Sequence, residues 1–165
     1  TIGQGVHMWV DVLPGLANTR GPDGKTRIKI GSNPIKALLK GIYDDHARIH
    51  AMQEDASTIA KAVKKLNASA DKTDAQSFNQ RVRWTNTKEE HASRIIEVVS
   101  TYFLTQKLKP VKEKAKNKAA YKDYIDRLVA CHKVMRKAMK VKQTVDPAAV
   151  DKLNAAIKRL GELYK

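Results

Sequence analysis

The stretch ARIHAMQEDASTIAKAVKKL, residues 47–66, decides the fold class of this chain. Its apolar residues recur at steps of three and four, which is the spacing of one face of an α-helix. Together with Asn33 as an N-cap and Pro34 in the first turn, the pattern predicts one helix over residues 34–68. The predicted inward face consists of Ile35, Leu38, Ile42, Ile49, Met52, Ala56, Ile59, Val63 and Leu66.

A second helix is predicted over residues 74–106, after a polar turn that begins at Asn67. Thr73 or Asp74 can cap it, and the poor helix formers at residues 85–87 predict a kink or a short break. The predicted inward face consists of Ala75, Phe78, Val82, Thr85, Glu89, Ala92, Ile96, Val99 and Phe103.

Two proline signals mark the remaining helices. Pro110 separates a third helix, predicted over residues 110–143, from the second. Asp146 as a cap and Pro147 in the first turn predict a fourth helix that runs to the end of the sequence. Three long helices and a shorter one, joined by short turns, predict an all-α antiparallel bundle.

Residues 1–33 differ from the rest because they hold six of the eight glycines. The turn signature GPDGK at residues 21–25 predicts an extended basic arm or a small β-hairpin, with residues 7–13 pairing with 26–30. A two-stranded ribbon is marginal on its own in water. The arm is therefore expected to lie on the predicted bundle domain, residues 34–165, or on another subunit of an oligomer.

Composition limits the class of protein. The chain has 165 residues, of which 42% are apolar and 30% charged, as is typical of a folded globular domain. No apolar run is long enough for a membrane span, and the first residues lack the charged and apolar regions of a signal peptide. An intracellular or virion location is therefore expected. The single cysteine, Cys131, excludes an intrachain disulfide and a cysteine-based zinc site.

The net charge of +15 is concentrated in residues 107–145, which hold 13 basic and 3 acidic residues. Seven lysines lie in KLKPVKEKAKNKAAYK, residues 107–122, where like charges at helical spacing repel each other. A phosphate backbone would relieve this repulsion and release counterions. The pattern predicts a structural protein that coats or packages DNA or RNA with little sequence specificity. Such a protein would be a virion coat (capsid) or nucleoprotein subunit, and its architecture resembles the helical coat proteins of filamentous DNA viruses.

The predicted nucleic-acid contacts include QRVRW, residues 80–84, because arginines beside an aromatic ring often grip single strands. Its tryptophan could instead belong to the core. The predicted contact residues are Lys107, Lys109, Lys112, Lys114, Lys116, Lys118, Lys122, Arg136, Lys137, Lys140, Arg81, Arg83 and Trp84.

A cluster of histidines and carboxylates is predicted between the first two helices. His46, His50 and Glu54 lie on one stripe, and an antiparallel neighbour would bring Glu89, Glu90, His91 and Glu97 close to it. Bundles build metal sites from such side chains on facing helices. PIKALLKGIYDDHARIH, residues 34–50, also resembles the opening helix of hemerythrin-like bundles, although the later histidines do not match their paired motifs. A buried polar layer that fixes helix register is the alternative.

Other chemistry-bearing patterns are missing from the sequence. It contains no phosphate-binding loop and no Ser-His-Asp arrangement, and Cys131 beside His132 has no third partner. The sequence therefore predicts no enzyme, no catalytic residue, no metal and no cofactor. Two alternatives to nucleic-acid packaging stay open: a protein-interaction module or effector fragment with a basic face, and a metal-binding four-helix bundle.

Overall fold

The computed structural model of the chain describes residues 19–20, 26–27, 45–112 and 117–164. The chain divides into two compact units, Thr1–Tyr43 and Asp44–Lys165. The predicted domain boundary between residues 33 and 34 stays a prediction.

The first unit contains a short antiparallel ladder. Strand β1 (Thr19–Arg20) pairs with β2 (Thr26–Arg27), so that Thr19 lies opposite Arg27. The two strands flank the predicted turn at residues 21–25. This ladder has two residues in each strand, and the predicted pairing of residues 7–13 with 26–30 stays a prediction. Residues 7–13 lie outside the described part of the chain.

The second unit is a four-helix bundle, which confirms the predicted all-α fold. Its described elements are α1 (Asp45–Asn67), α2 (Ala75–Glu97), a π-helical segment (Val98–Lys107), α3 (Lys118–Lys142) and α4 (Pro147–Leu163). Helix α1 packs against α2 and α4, and α3 packs against the same two helices, so the four close into a ring. Among the described residues, no helix combines the length and the apolar character that crossing a membrane requires.

Two aspartates start helices as the sequence predicts. The Asp74 carboxylate accepts a hydrogen bond from the Ser77 amide at 2.9 Å and so caps α2. Hydrogen bonding from the Ser77 side chain, together with that from its amide, lowers the pKa of Asp74. At the start of α4, Asp146 accepts from the Ala148 amide at 2.9 Å, and Pro147 occupies the first turn. Each cap satisfies an amide that has no partner within its helix.

The core lies along the centre of the bundle and draws on every helix. The predicted face of α1 is confirmed from Ile49 to Leu66, while residues 34–44 lie outside the described part of the chain. The largest fully buried side chains are Phe103, Met52, Ile59, Ile95, Leu153, Ile157, Leu160, Val63, Val99, Val134, Val141 and Cys131.

The predicted inward face of α2 is wrong in its first half. Phe78 is 61% exposed and Val82 is 44% exposed, and the helix continues without a break through residues 85–87. Arg81 and Lys88 lie inward instead. Arg81 donates a hydrogen bond to the main-chain carbonyl of Ser69, and Lys88 donates one to that of Val141. These two cations take the place of the apolar residues that the periodicity predicts.

The third helix starts later than predicted. Residues 108–112 are not helical, and α3 begins at Lys118 rather than at residue 110. Pro110 lacks the amide proton that a helix interior needs, and the lysines that follow would repel each other at helical spacing. Both effects disfavour a helix here.

Candidate functional site

A hydrogen-bonded cluster lies at the first turn of α1. Asp45 accepts a hydrogen bond from the Tyr102 hydroxyl at 2.7 Å and forms an ion pair with Lys107 Nζ, also at 2.7 Å. The guanidinium of Arg48 lies 5.1 Å from the centre of the Tyr102 ring. The π-helical segment supplies both Tyr102 and Lys107, so this segment ties the end of α2 to the start of α1.

A buried aromatic group continues from this cluster into the core. The Phe103 ring meets the Tyr164 ring edge-on, with centres 4.9 Å apart, and the Arg127 guanidinium lies 4.7 Å from the Tyr164 ring centre. Burial raises the pKa of Tyr164 to about 12. Among the described residues, no group forms a hydrogen bond of good geometry with its buried hydroxyl oxygen.

Cys131 belongs to the same part of the core. Its side chain is fully buried, and burial raises its pKa to about 11. A thiol with so high a pKa stays protonated at neutral pH, and the thiolate is the form that binds metals and reacts as a nucleophile. Cys131 therefore serves as a small apolar core residue, as does most buried free cysteine.

A cavity of about 240 Å³ is lined by residues of both the hydrogen-bonded cluster and the aromatic group. Lys107, Lys109 and Arg127 bring three cations to its wall, and Tyr164 contributes part of its lining. Asp123, which also lines the cavity, accepts a hydrogen bond from Arg127 Nε at 2.8 Å. Lys107 and Arg127 each form an ion pair with an aspartate, so the attraction of the cavity for a small anion comes mainly from Lys109.

The histidines of α1 line a different groove, between α1 and α4. His46 and His50 share a cavity of about 440 Å³ with Glu162 of α4. His50 Nδ1 lies 3.4 Å from Glu54 Oε1. The alternative of a metal cluster shared with α2 gains no support, because no three histidine, cysteine, aspartate or glutamate side chains among the described residues are placed to hold a metal ion.

Two of the four predicted partners of that cluster on α2, His91 and Glu89, have other contacts. His91 Nδ1 lies 2.6 Å from Asp55 Oδ1, and Arg94 Nη2 lies 3.1 Å from the same oxygen. Glu89 forms ion pairs with Lys88 at 2.8 Å and with Lys142 at 3.6 Å. This is the polar, register-fixing layer that the sequence left open as the alternative.

Lys88 is the inward-facing residue that sequence reasoning missed. Only 3% of it is exposed, and its Nζ donates to the carbonyl of Val141 at 3.0 Å and to that of Lys142 at 2.7 Å. A cation at the carboxyl end of α3 satisfies carbonyls that have no partner within that helix. Only its position in the sequence indicates that Lys88 faces inward, because Trp84 and Ala92, four residues away on either side, share its face of the helix.

The predicted nucleic-acid contacts form two groups, one at each end of α3. At the first end, Lys109, Lys112 and Lys118 are exposed, while Lys107 pairs with Asp45 and Lys122 pairs with Asp126 at 2.6 Å. Lys114 and Lys116 lie outside the described part of the chain. Near the other end, a cavity of about 340 Å³ is lined by Arg136, Lys137 and Lys140. Along the helix axis, Lys140 lies about 33 Å from Lys118 at 1.5 Å per residue.

The remaining predicted contacts lie on α2. Arg81 faces the turn after α1 and donates to the Ser69 carbonyl at 2.8 Å. Trp84 is half-buried, with Lys61 Nζ 5.9 Å from its ring centre, whereas Arg83 is exposed. These positions leave the predicted contacts, and the predicted oligomer through the arm, as predictions.

Comparison with known families gives one finding. The model of the family described as nickel-containing superoxide dismutase matches residues 40–165 of the chain, and these include all four helices. Searches of curated proteins and of solved structures give no significant match.

This match overturns the predicted function. The prediction of a nucleic-acid-packaging protein, capsid or virion subunit is wrong, and so is the prediction that the chain is not an enzyme, because the matched family is named for an oxidoreductase. It is also a different family from the hemerythrin-like one that residues 34–50 resemble. The physical reason is that excess positive charge attracts any anion, small or polymeric, so charge alone does not identify the ligand.

Proposed function

Because the chain belongs to the nickel-containing superoxide dismutase family, we propose that it is an oxidoreductase that disproportionates superoxide. In this reaction two superoxide anions and two protons give one dioxygen and one hydrogen peroxide, so one anion is oxidised and the other reduced. The observation that carries the proposal is the family match over residues 40–165, which extends through the whole bundle.

The donors in the described part of the chain do not fit a nickel centre with thiolate ligands. Cys131 is the single cysteine of the 165 residues, and it is a buried, protonated thiol. A metal centre with three protein ligands would need at least one residue outside the described part, or one from another chain. Imidazole and carboxylate are therefore the donors that these 165 residues offer a metal ion, and imidazole suits nickel, copper and zinc.

The charge of the chain supports the proposal. Superoxide is an anion, and a net charge of +15 raises its concentration near the protein and its association rate. The cavity of about 240 Å³ adds local positive charge, because Lys107, Lys109 and Arg127 form part of its wall and only two of them pair with an aspartate. In this reading the lysine-rich stretch at the start of α3 attracts a small anionic substrate.

The decisive experiment measures superoxide decay with the full, untagged chain. The protein is stripped of metal, reloaded separately with nickel, copper, manganese or iron, and freed of unbound ions before superoxide is added. We expect at least one loaded form to accelerate the decay and the rate to fall as ionic strength rises. The metal-free protein and the buffer from the final wash are the controls. If no loaded form exceeds these controls, the proposal is wrong.

A matched pair of variants tests the role of the basic end of α3. Lys109→Gln with Lys112→Gln removes two exposed charges, of which Lys109 lines the cavity, and Lys64→Gln with Lys65→Gln removes two charges from the last turn of α1. We expect the first variant to lose more of the rate at low salt. Equal losses would show that only the total charge matters.

A further inference from the structure

The groove between α1 and α4 brings two imidazoles together. His46 and His50 are four residues apart on α1, so they occupy neighbouring positions on one face of the helix. Both are exposed, and both line the cavity of about 440 Å³. On the opposite side, Gly161 lets α4 approach closely, since a Cβ there would lie 3.0 Å from Ile49 Cγ2.

Some charged groups around the groove attract a metal cation, and others repel it. Glu54 lies 3.4 Å from His50 Nδ1, which leaves Nε2 as the atom with which His50 would bind a metal. A carboxylate partner of this kind orients the ring. Glu162 lines the groove and accepts from Arg159 at 3.2 Å, while Lys158 adds an opposing positive charge.

We propose that His46 and His50 chelate one late first-row divalent metal ion, with water in the remaining coordination positions. Two histidines at this spacing on a helix place their rings to share one ion. A site of two protein ligands agrees with the finding that no three ligating side chains are grouped in the described part of the chain. The proposal concerns binding, and it holds whether or not the chain disproportionates superoxide.

The test is a titration of the untagged full chain with Ni²⁺ after removal of bound metal, followed by calorimetry. We expect one Ni²⁺ per chain in this groove and at least a tenfold loss of affinity in the His46→Ala, His50→Ala double variant. His132→Ala is the matched control, because it removes an exposed histidine of α3 that has no histidine neighbour at helical spacing. Circular dichroism checks that each variant keeps its helices.

Two further measurements separate a chelate from general attraction. Lys158→Ala should raise the affinity, because it removes a cation from the groove. The affinity should also rise from Mn²⁺ through Ni²⁺ to Cu²⁺, as imidazole ligands require. The proposal is overturned if the double variant binds Ni²⁺ as tightly as the parent, or if Mn²⁺ and Ni²⁺ bind equally.

Discussion

Helices α1 and α2 have 23 residues each, yet they meet the core in different ways. The face of α1 is apolar from end to end, and every position of its predicted stripe from Ile49 to Leu66 is buried. The first half of α2 instead turns Arg81 and Lys88 inward and leaves Phe78 exposed. An inward-facing position can thus be satisfied either by apolar area or by hydrogen bonds to carbonyls at the end of another segment.

The largest effect is expected where α1 contributes apolar volume alone. Ile59 is fully buried, so Ile59→Ala removes contacts and leaves a cavity. We expect the free energy of unfolding to fall by about 2–5 kcal/mol. Denaturant unfolding followed by circular dichroism measures it. A loss of stability smaller than that of the surface variant Phe78→Ala would contradict the assignment of this face to the core.

Lys88→Met tests the hydrogen-bonded way of filling an inward position. Methionine keeps most of the apolar length but leaves the Val141 and Lys142 carbonyls without this donor. We expect a loss of about 1–3 kcal/mol in the free energy of unfolding. Lys133→Met, at an exposed position of α3, is the control and should change little. If both variants lose the same amount, the carbonyl contacts of Lys88 do not contribute.

Tyr164 sharpens the contrast, because its buried hydroxyl has no hydrogen bond of good geometry among the described residues. Tyr164→Phe removes that polar atom and keeps the ring against Phe103. We expect the free energy of unfolding to rise by about 1 kcal/mol. A fall of similar size in the same unfolding assay would mean that the hydroxyl forms a bond in solution.

The same residue gives a pH dependence with a definite sign. Burial raises the pKa of Tyr164 from 10.0 to about 12, so the unfolded chain loses this proton first. Stability from this group is complete below pH 10 and falls as pH rises toward 12. Burial also raises the pKa of Cys131, from 9.0 to about 11, so this thiol lowers the stability at a lower pH than Tyr164 does. The Tyr164→Phe variant should keep the decrease that Cys131 causes. Unfolding midpoints at several alkaline pH values separate the two.

The smallest effect is expected on the exposed side of α2. Phe78 occupies a position that the apolar periodicity assigns to the core, but 61% of it is exposed. Phe78→Ala should change the free energy of unfolding by less than about 0.5 kcal/mol. A loss comparable to that of Ile59→Ala would show that another surface covers Phe78 in solution.

The sequence predicts the fold well where one physical effect dominates. Apolar spacing identifies the face of α1, and the Asp74 and Asp146 caps follow from residue type alone. It fails at Lys88, because no one-dimensional pattern shows that the carbonyls of Val141 and Lys142 lie within reach. Carbonyl positions depend on how α3 packs against α2, which is tertiary information.

Function was less accessible for a related reason. The lysines of residues 107–122 indicate an anionic ligand, but electrostatic attraction does not distinguish a polymer from a diatomic anion. His46 and His50 could be identified from their spacing, whereas the predicted partners Glu89 and His91 are engaged within the bundle. Which groups face each other is set by helix rotation, and the polar residues of α2 shift that rotation away from the apolar pattern.

The burial of Cys131 has a chemical consequence for a protein proposed to generate hydrogen peroxide. Peroxide oxidises thiolates that it can reach, and this thiol is neither deprotonated at neutral pH nor open to solvent. The single cysteine is thereby protected from conversion to sulfenic acid. Among the described methionines, oxidative damage would fall first on Met139, which is 40% exposed, rather than on fully buried Met52.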